Sequence, residues 1–211
     1  MSRRSGACPQ CGATINFKFS SAVQTICEYC RSILVRHDVD LEKVGVAADL
    51  PPDVSPIQLG TEGIFGNKAF WVAGRIAYQY DLGGWNEWHI VFNDGESGWL
   101  SDAQADYAIS FPFAPPAPLP ACSELIPGRP FQFDNTRFEV TTLTKAFYSG
   151  VEGELPFEYW DKEEVLFADL RSASSRFGTI DYSEEPPLLF LGQAVEFDSL
   201  RLKNLKEFEG W

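Results

Sequence analysis

Four of the five cysteines in this 211-residue chain form two identical pairs near the N-terminus, Cys8-x-x-Cys11 and Cys27-x-x-Cys30, with fifteen residues between them. No other feature restricts the fold as sharply, because four thiols at this spacing meet at one point only if the backbone makes two facing knuckles. The spacing lies in the range that reads as a zinc site. A thiolate quartet supplies a closed tetrahedral shell for Zn²⁺ at bonds of about 2.3 Å, with no position left open for chemistry. Cys8, Cys11, Cys27 and Cys30 are therefore the expected ligands of one structural Zn²⁺. Pro9 fixes φ in the first knuckle, and Gly12 permits a positive φ just beyond it.

The residues between the pairs suit a hairpin. Thr14, Ile15, Phe17 and Phe19 fit one strand, Ser20-Ser21 a turn, and Val23, Thr25 and Ile26 the return, with Ile33-Leu34-Val35 as a third strand. Residues 1–36 thus resemble a zinc ribbon. So short a segment buries too little surface to fold alone, so the metal would supply its folding energy. A thioredoxin-like Cys-x-x-Cys belongs in a βαβ context and is not doubled. Paired disulfides would suit a secreted chain, but Arg3 and Arg4 are followed by no apolar leader.

Charge argues against a polyanion partner. The first 36 residues carry five basic side chains and one acidic, and a tetrathiolate zinc site would remove about half of that excess; the remainder carries 12 basic against 29 acidic residues. Phosphate binding needs a basic surface, so a nucleic-acid-binding ribbon is the weakest of three readings. No apolar run approaches the ~20 residues of a membrane span. Reduced thiols and the lack of a leader point to the cytoplasm.

The body reads as all-β: 14% of residues are aromatic, and Gly and Pro recur. Residues 37–54 read as a linker. Beyond it, positions 68 apart agree: Ile57 with Leu125, Gly60 with Gly128, Phe65 with Phe133, Phe70 with Phe138, Val72 with Val140 and Tyr80 with Tyr148. This degenerate repeat predicts two related small β-barrel or β-sandwich modules, 55–112 and 123–211, joined by the Pro-rich connector 113–122. Asn93-Asp94-Gly95 predicts a hairpin turn, and Ser101–Tyr107 a turn or two of helix.

The run Gly60-x-x-Gly63, Phe70-x-Val72-x-Gly74-Arg75, Trp85-Asn86-Glu87-Trp88 and Gly98-Trp99-Leu100, followed by Gly153-Glu154-Leu155-Pro156 and Phe177-Gly178-Thr179-Ile180-Asp181-Tyr182-Ser183, resembles the bacterial domain of unknown function numbered 4178. The likeness spans about 55–205. It implies a bacterial cytoplasmic protein and brings no established activity.

Candidates for chemistry are few. In a strand, Trp85, Glu87 and His89 share one face, with Asn86 and Trp88 on the other; the simplest reading puts Trp88 in the core and leaves Glu87 and His89 solvated. His37, in the linker, reads as solvated too. The second half is rich in acids, including Glu152, Glu154, Asp161, Glu163, Asp169 and Asp181. Asp181 lies between apolar strand residues and must be solvated or paired, most simply as a turn cap. Cys122 has no histidine near it and reads as a buried thiol, and no nucleophile elbow or phosphate loop is present. No catalytic residue is assigned. The leading expectation is a non-catalytic adapter, a zinc ribbon on a duplicated β-body with a protein partner. The alternative is an enzyme or small-molecule sensor, with its site near Glu87 and His89 or near Glu154 and Asp181.

Overall fold

The computed structural model describes residues 5–37, 40–50, 54–158 and 164–208. Arg3, Arg4, residues 51–53, Asp161 and Glu163 lie outside them. β1 (Ser5–Ala7) pairs with β2 (Thr14–Asn16), and β3 (Gln24–Ile26), β4 (Ser32–His37) and β5 (Asp40–Val46) form a second small sheet. The third sheet has ten antiparallel strands. The first five are β6 (Glu62–Phe65), β7 (Lys68–Tyr80), β8 (Gly83–Phe92), β9 (Ser97–Ala103) and β10 (Asp106–Pro112). The second five are β11 (Pro130–Phe133), β12 (Thr136–Gly153), β13 (Glu164–Arg171), β14 (Arg176–Asp181) and β15 (Leu188–Val195).

Two expectations need correction here. Asp40–Val46, read as linker, is a strand paired along β4. Ser101–Tyr107, read as helical, is a hairpin in which Gln104 and Ala105 both take positive φ, the geometry of a two-residue primed turn. The turn after β8 is where Asn93-Asp94-Gly95 predicts it, with Gly95 at φ +91° and its N–H donating to Phe92 O at 3.0 Å.

The two halves run through the same five-strand order, and equivalent positions behave alike. Gly60 and Gly128 have φ of +80° and +84°, and their N–H groups bond Val72 O and Val140 O at 2.9 and 2.8 Å. Each half opens with a two-residue turn of positive φ, Gly66-Asn67 and Asp134-Asn135. Each long strand then slips register by a bulge, at Val72/Gly74 in β7 and Val140/Thr142 in β12.

The halves are nevertheless not the separate modules that the repeat predicts. Strand neighbours run β7–β8–β9–β10–β15–β14–β13–β12, and β12 pairs back onto β7, so eight strands from both halves close one hydrogen-bonded ring. The physical reason lies in the edges. A five-strand meander leaves backbone unpaired on each side; joining β10 to β15, and the stretch of β7 beyond β6 to the stretch of β12 beyond β11, pairs most of it.

The segments that follow each half cross over. Phe113 and Leu119, after β10, pack against the second half's core around Phe138, Val140 and Leu170. Phe197, Leu200 and Leu202, after β15, pack against the first half's core around Val72, Trp88 and Ile90. Ile57 and Leu125, the first matched pair of the repeat, are buried in those respective cores. Each half therefore lacks part of its core without the other. Urea unfolding followed by tryptophan fluorescence and by far-UV circular dichroism is expected to give one coincident transition for the ring; two separated transitions, one per half, would contradict this reading.

Candidate functional site

The four N-terminal cysteines converge as their spacing predicts. Their Sγ atoms all lie within 4.8 Å of one another, with Cys8–Cys30 and Cys11–Cys27 each at 3.7 Å. A tetrahedron with bonds of about 2.3 Å has edges of about 3.8 Å, so the donor set fits such an ion. The two knuckles are built alike. Gly12 N–H donates to Cys8 O at 2.8 Å and Arg31 N–H to Cys27 O at 2.9 Å. Both donors sit at positive φ, +75° and +58°, four residues after the first cysteine of their pair. The fifth cysteine, Cys122, is exposed rather than buried, because the connector carries it over the surface.

Beside this cluster lies a clamp that the sequence does not reveal. The Glu154 carboxylate accepts Lys18 N–H at 2.8 Å and Phe19 N–H at 2.7 Å. Leu155 continues the attachment: its N–H bonds Gln24 O at 3.0 Å and its carbonyl accepts Val23 N–H at 2.9 Å. His89 Nδ1 lies 2.9 Å from Glu154 O. A carbonyl only accepts, so Nδ1 carries the proton and Nε2 is bare. Burial pushes the ring down to about 4, opposed by that backbone bond, so His89 is neutral. It is fully buried between Phe19 and Trp99, not solvated. His89 and Glu154 thus fasten the cysteine unit to the ring and face no substrate space. His37 is exposed, 3.1 Å from Glu42.

The remaining candidates meet inside the ring. Trp85, Glu87 and His89 do share one strand face, and Trp88 is buried on the other. A cavity of about 200 Å³ runs inward from Tyr80, Ala103 and Arg171 to Glu87, Asp169 and Thr179. It abuts a smaller one of about 50 Å³ lined by Glu87, Trp99, Thr179, Asp181 and Phe190. Together their linings draw on all eight ring strands, which identifies this space as the interior. Trp85 meets Phe167 edge to face at 5.3 Å across it and stacks on Tyr78 at 4.8 Å. At the far end, Ile33 and Ala47 of the cysteine unit join Ile76, Tyr78, Trp99 and Tyr148 in one core and close the interior. A hollow of about 500 Å³ near Arg75 and Asp102 has its charges engaged, Arg75 with Asn86 and Glu152, and Asp102 with Ser55.

The interior acids are held by neighbouring donors. Glu87 accepts from Trp85 Nε1 at 3.0 Å and Ser101 Oγ at 2.8 Å, and Asp169 from Thr179 Oγ1 at 3.1 Å. Asp181 accepts Ser183 N–H at 2.8 Å, the turn cap that its position predicts, while also lining the cavity. Burial pushes Glu87 up to about 8; the Ser101 and Trp85 bonds oppose this, and the charges of Asp169 and Asp181 add to it. Burial also raises Asp169 and Asp181. Glu87 therefore does not sit solvated. The sequence pairs Glu87 with His89 and Glu154 with Asp181, whereas the structure pairs His89 with Glu154 and Glu87 with the aspartates. Asp169 and Ser101 carry no sequence motif, and strand alternation alone, counted from Phe167 and Trp99, marks them as inward-facing; Thr179 stands in the family-like run but without a role read from it.

The sign of the pH effect follows. Between an unfolded carboxyl near 4.5 and a folded one near 8, the folded protein holds a proton that the unfolded chain has released. Stability therefore falls as pH rises through that window. Glu87→Gln removes this ionisation. Relative to wild type it is expected to gain about 3 kcal/mol of stability between pH 5 and pH 8, since each tenfold difference in proton affinity is worth ~1.4 kcal/mol. Urea titrations at both pH values check this, and equal wild-type and variant slopes with pH would contradict it.

No curated protein and no solved structure matches the chain. A family profile described as a domain of unknown function, DUF4178, matches residues 58–197, from just before β6 to just beyond β15. The match takes in the whole ring and every interior acid, and leaves the cysteine unit outside. On this match, spanning well over half of its length, the chain belongs to the DUF4178 family.

Proposed function

We propose that this is a non-catalytic small-molecule-binding protein: a zinc ribbon closes one end of a duplicated β-ring, and the interior takes a ligand through the other end. The observation that carries this reading is the interior cavity, where Glu87, Asp169, Asp181, Ser101 and Thr179 gather beside Trp85 and Phe167. Pockets of this kind, with aromatic walls and a few convergent polar groups, are where ligands bind. A protein adapter has no need of such a pocket. The apolar face of the ribbon, Phe17, Phe19 and Leu34, is moreover already packed with Ala73 and Val91 of the ring, which leaves it unavailable for a partner.

Binding is favoured over catalysis because, among the described residues, no Cys, His or Lys lines either interior cavity, and the hydroxyls of Ser101 and Thr179 already donate to carboxylates. The zinc would act as a structural staple held by Cys8, Cys11, Cys27 and Cys30, in keeping with a reducing, cytoplasmic setting. An acidic body still disfavours nucleic acid.

The test is a ligand-observed NMR screen of polar fragments against the full chain and against Thr142→Trp, a bulky change at an exposed position on the cavity's rim. Binders to the wild type that Thr142→Trp weakens at least tenfold are expected. Fragments that bind both proteins equally, or none that bind the wild type, would contradict the reading.

A further inference from the structure

We propose that the ring interior is a site for a small organic cation, a protonated amine or guanidinium of few heavy atoms. This inference rests on reading the interior as a ligand site. Three observations lead to it.

The first is charge. Glu87 projects from β8, Asp169 from β13 and Asp181 from β14, so the acids approach the space from both halves of the ring. Among the described residues, no basic side chain lines the inner cavity. Arg171 stands at the rim, and its guanidinium lies over Phe177 at 4.7 Å. A recess with excess negative charge and low-dielectric walls favours a positive guest.

The second is donor accounting. A carboxylate offers about four lone-pair positions. Trp85 Nε1–H and Ser101 O–H are directed at Glu87, and Thr179 O–H at Asp169. The donors nearest the acids are thus already engaged, and Asp169 and Asp181 keep acceptor capacity, which Glu87 gains in full once an arriving cation displaces the proton that burial lets it hold near pH 7. A ligand entering here meets acceptors. An ammonium or guanidinium, which only donates, matches that surface; a carboxylate or phosphate does not.

The third is shape. Trp85 and Phe167 wall the cavity, and aromatic faces attract cations, Trp most strongly. A volume of about 200 Å³ falls below the ~300–1,000 Å³ usual for drug-sized ligands, so the guest is small. The elevated Glu87 is consistent with this, since an arriving cation would let the acids ionise together and release a proton.

Isothermal titration of the zinc-loaded full chain at pH 7.5 tests the inference. The probes are 1,4-diaminobutane and guanidinium, set against butan-1-ol, butyrate and Mg²⁺. The diamine is expected to bind once per chain and at least tenfold more tightly than butan-1-ol. Its apparent heat should change between buffers of different ionisation enthalpy, as proton release requires. Asp169→Asn and, separately, Asp181→Asn should each weaken it at least tenfold while zinc content and circular dichroism stay unchanged. Equal or tighter binding of butan-1-ol, butyrate or Mg²⁺ would overturn the cation assignment and leave the interior standing as a ligand site. Failure of both cations to bind saturably would overturn it too, while the fragment screen on Thr142→Trp judges the site itself independently.

Discussion

The seam where β12 meets β7 holds the whole structure together. Glu152 pairs with Arg75 and Gly153 with Gly74 there, and the seam closes eight strands into a ring. The approach is close enough to demand glycine on both sides. A Cβ on Gly74 would lie 2.3 Å from Glu154 O, and one on Gly153, itself at φ +69°, 2.2 Å from Ala73 O. One residue further on, the chain supplies the Glu154 carboxylate to the backbone of Lys18 and Phe19, and its carbonyl to His89. Ring closure, attachment of the cysteine unit and burial of His89 are therefore consequences of one contact.

That arrangement explains why the interior differs from an ordinary apolar core. The outward faces of the two halves are filled by aliphatic and aromatic residues and covered by the crossed-over segments. Apolar material is thereby concentrated outside the ring and at its closed end, where Ile33 and Ala47 complete the packing. The middle and the open end hold Glu87, Asp169, Asp181 and their hydroxyl partners beside the Trp85 and Phe167 rings. Carboxyls withdrawn from water cost stability unless bonded or neutralised. Keeping three half-buried ones in one space is the kind of local conflict that proteins retain at functional sites.

Local signals are legible in the sequence, and long-range pairings are not. The cysteine spacing locates the cluster, because the knuckle is a property of four consecutive residues. The 68-residue offset locates equivalent turns and bulges, since Gly60 and Gly128 must meet the same backbone demand. Ring closure is invisible there because it joins Tyr78 to Tyr148, and no local pattern reports a partner that distant. Gln104-Ala105 hides a hairpin because neither residue is typical of positive φ. His89 reads as a neighbour for Glu87 because both face the same way along β8; its actual partner, Glu154, lies on a segment whose position depends on the seam.

The central claim is that the cysteine unit, proposed to hold zinc, is the closed end of the ring rather than an appendage. Hydrogen exchange read by mass spectrometry, before and after zinc is stripped by a chelator, tests it most directly. The account expects one zinc lost per chain and faster exchange in residues 5–46, together with loss of protection at the seam, in 74–78 and 148–155. Faster exchange confined to 5–46, with the seam unchanged, or a chain that holds no zinc and keeps full protection, would contradict it.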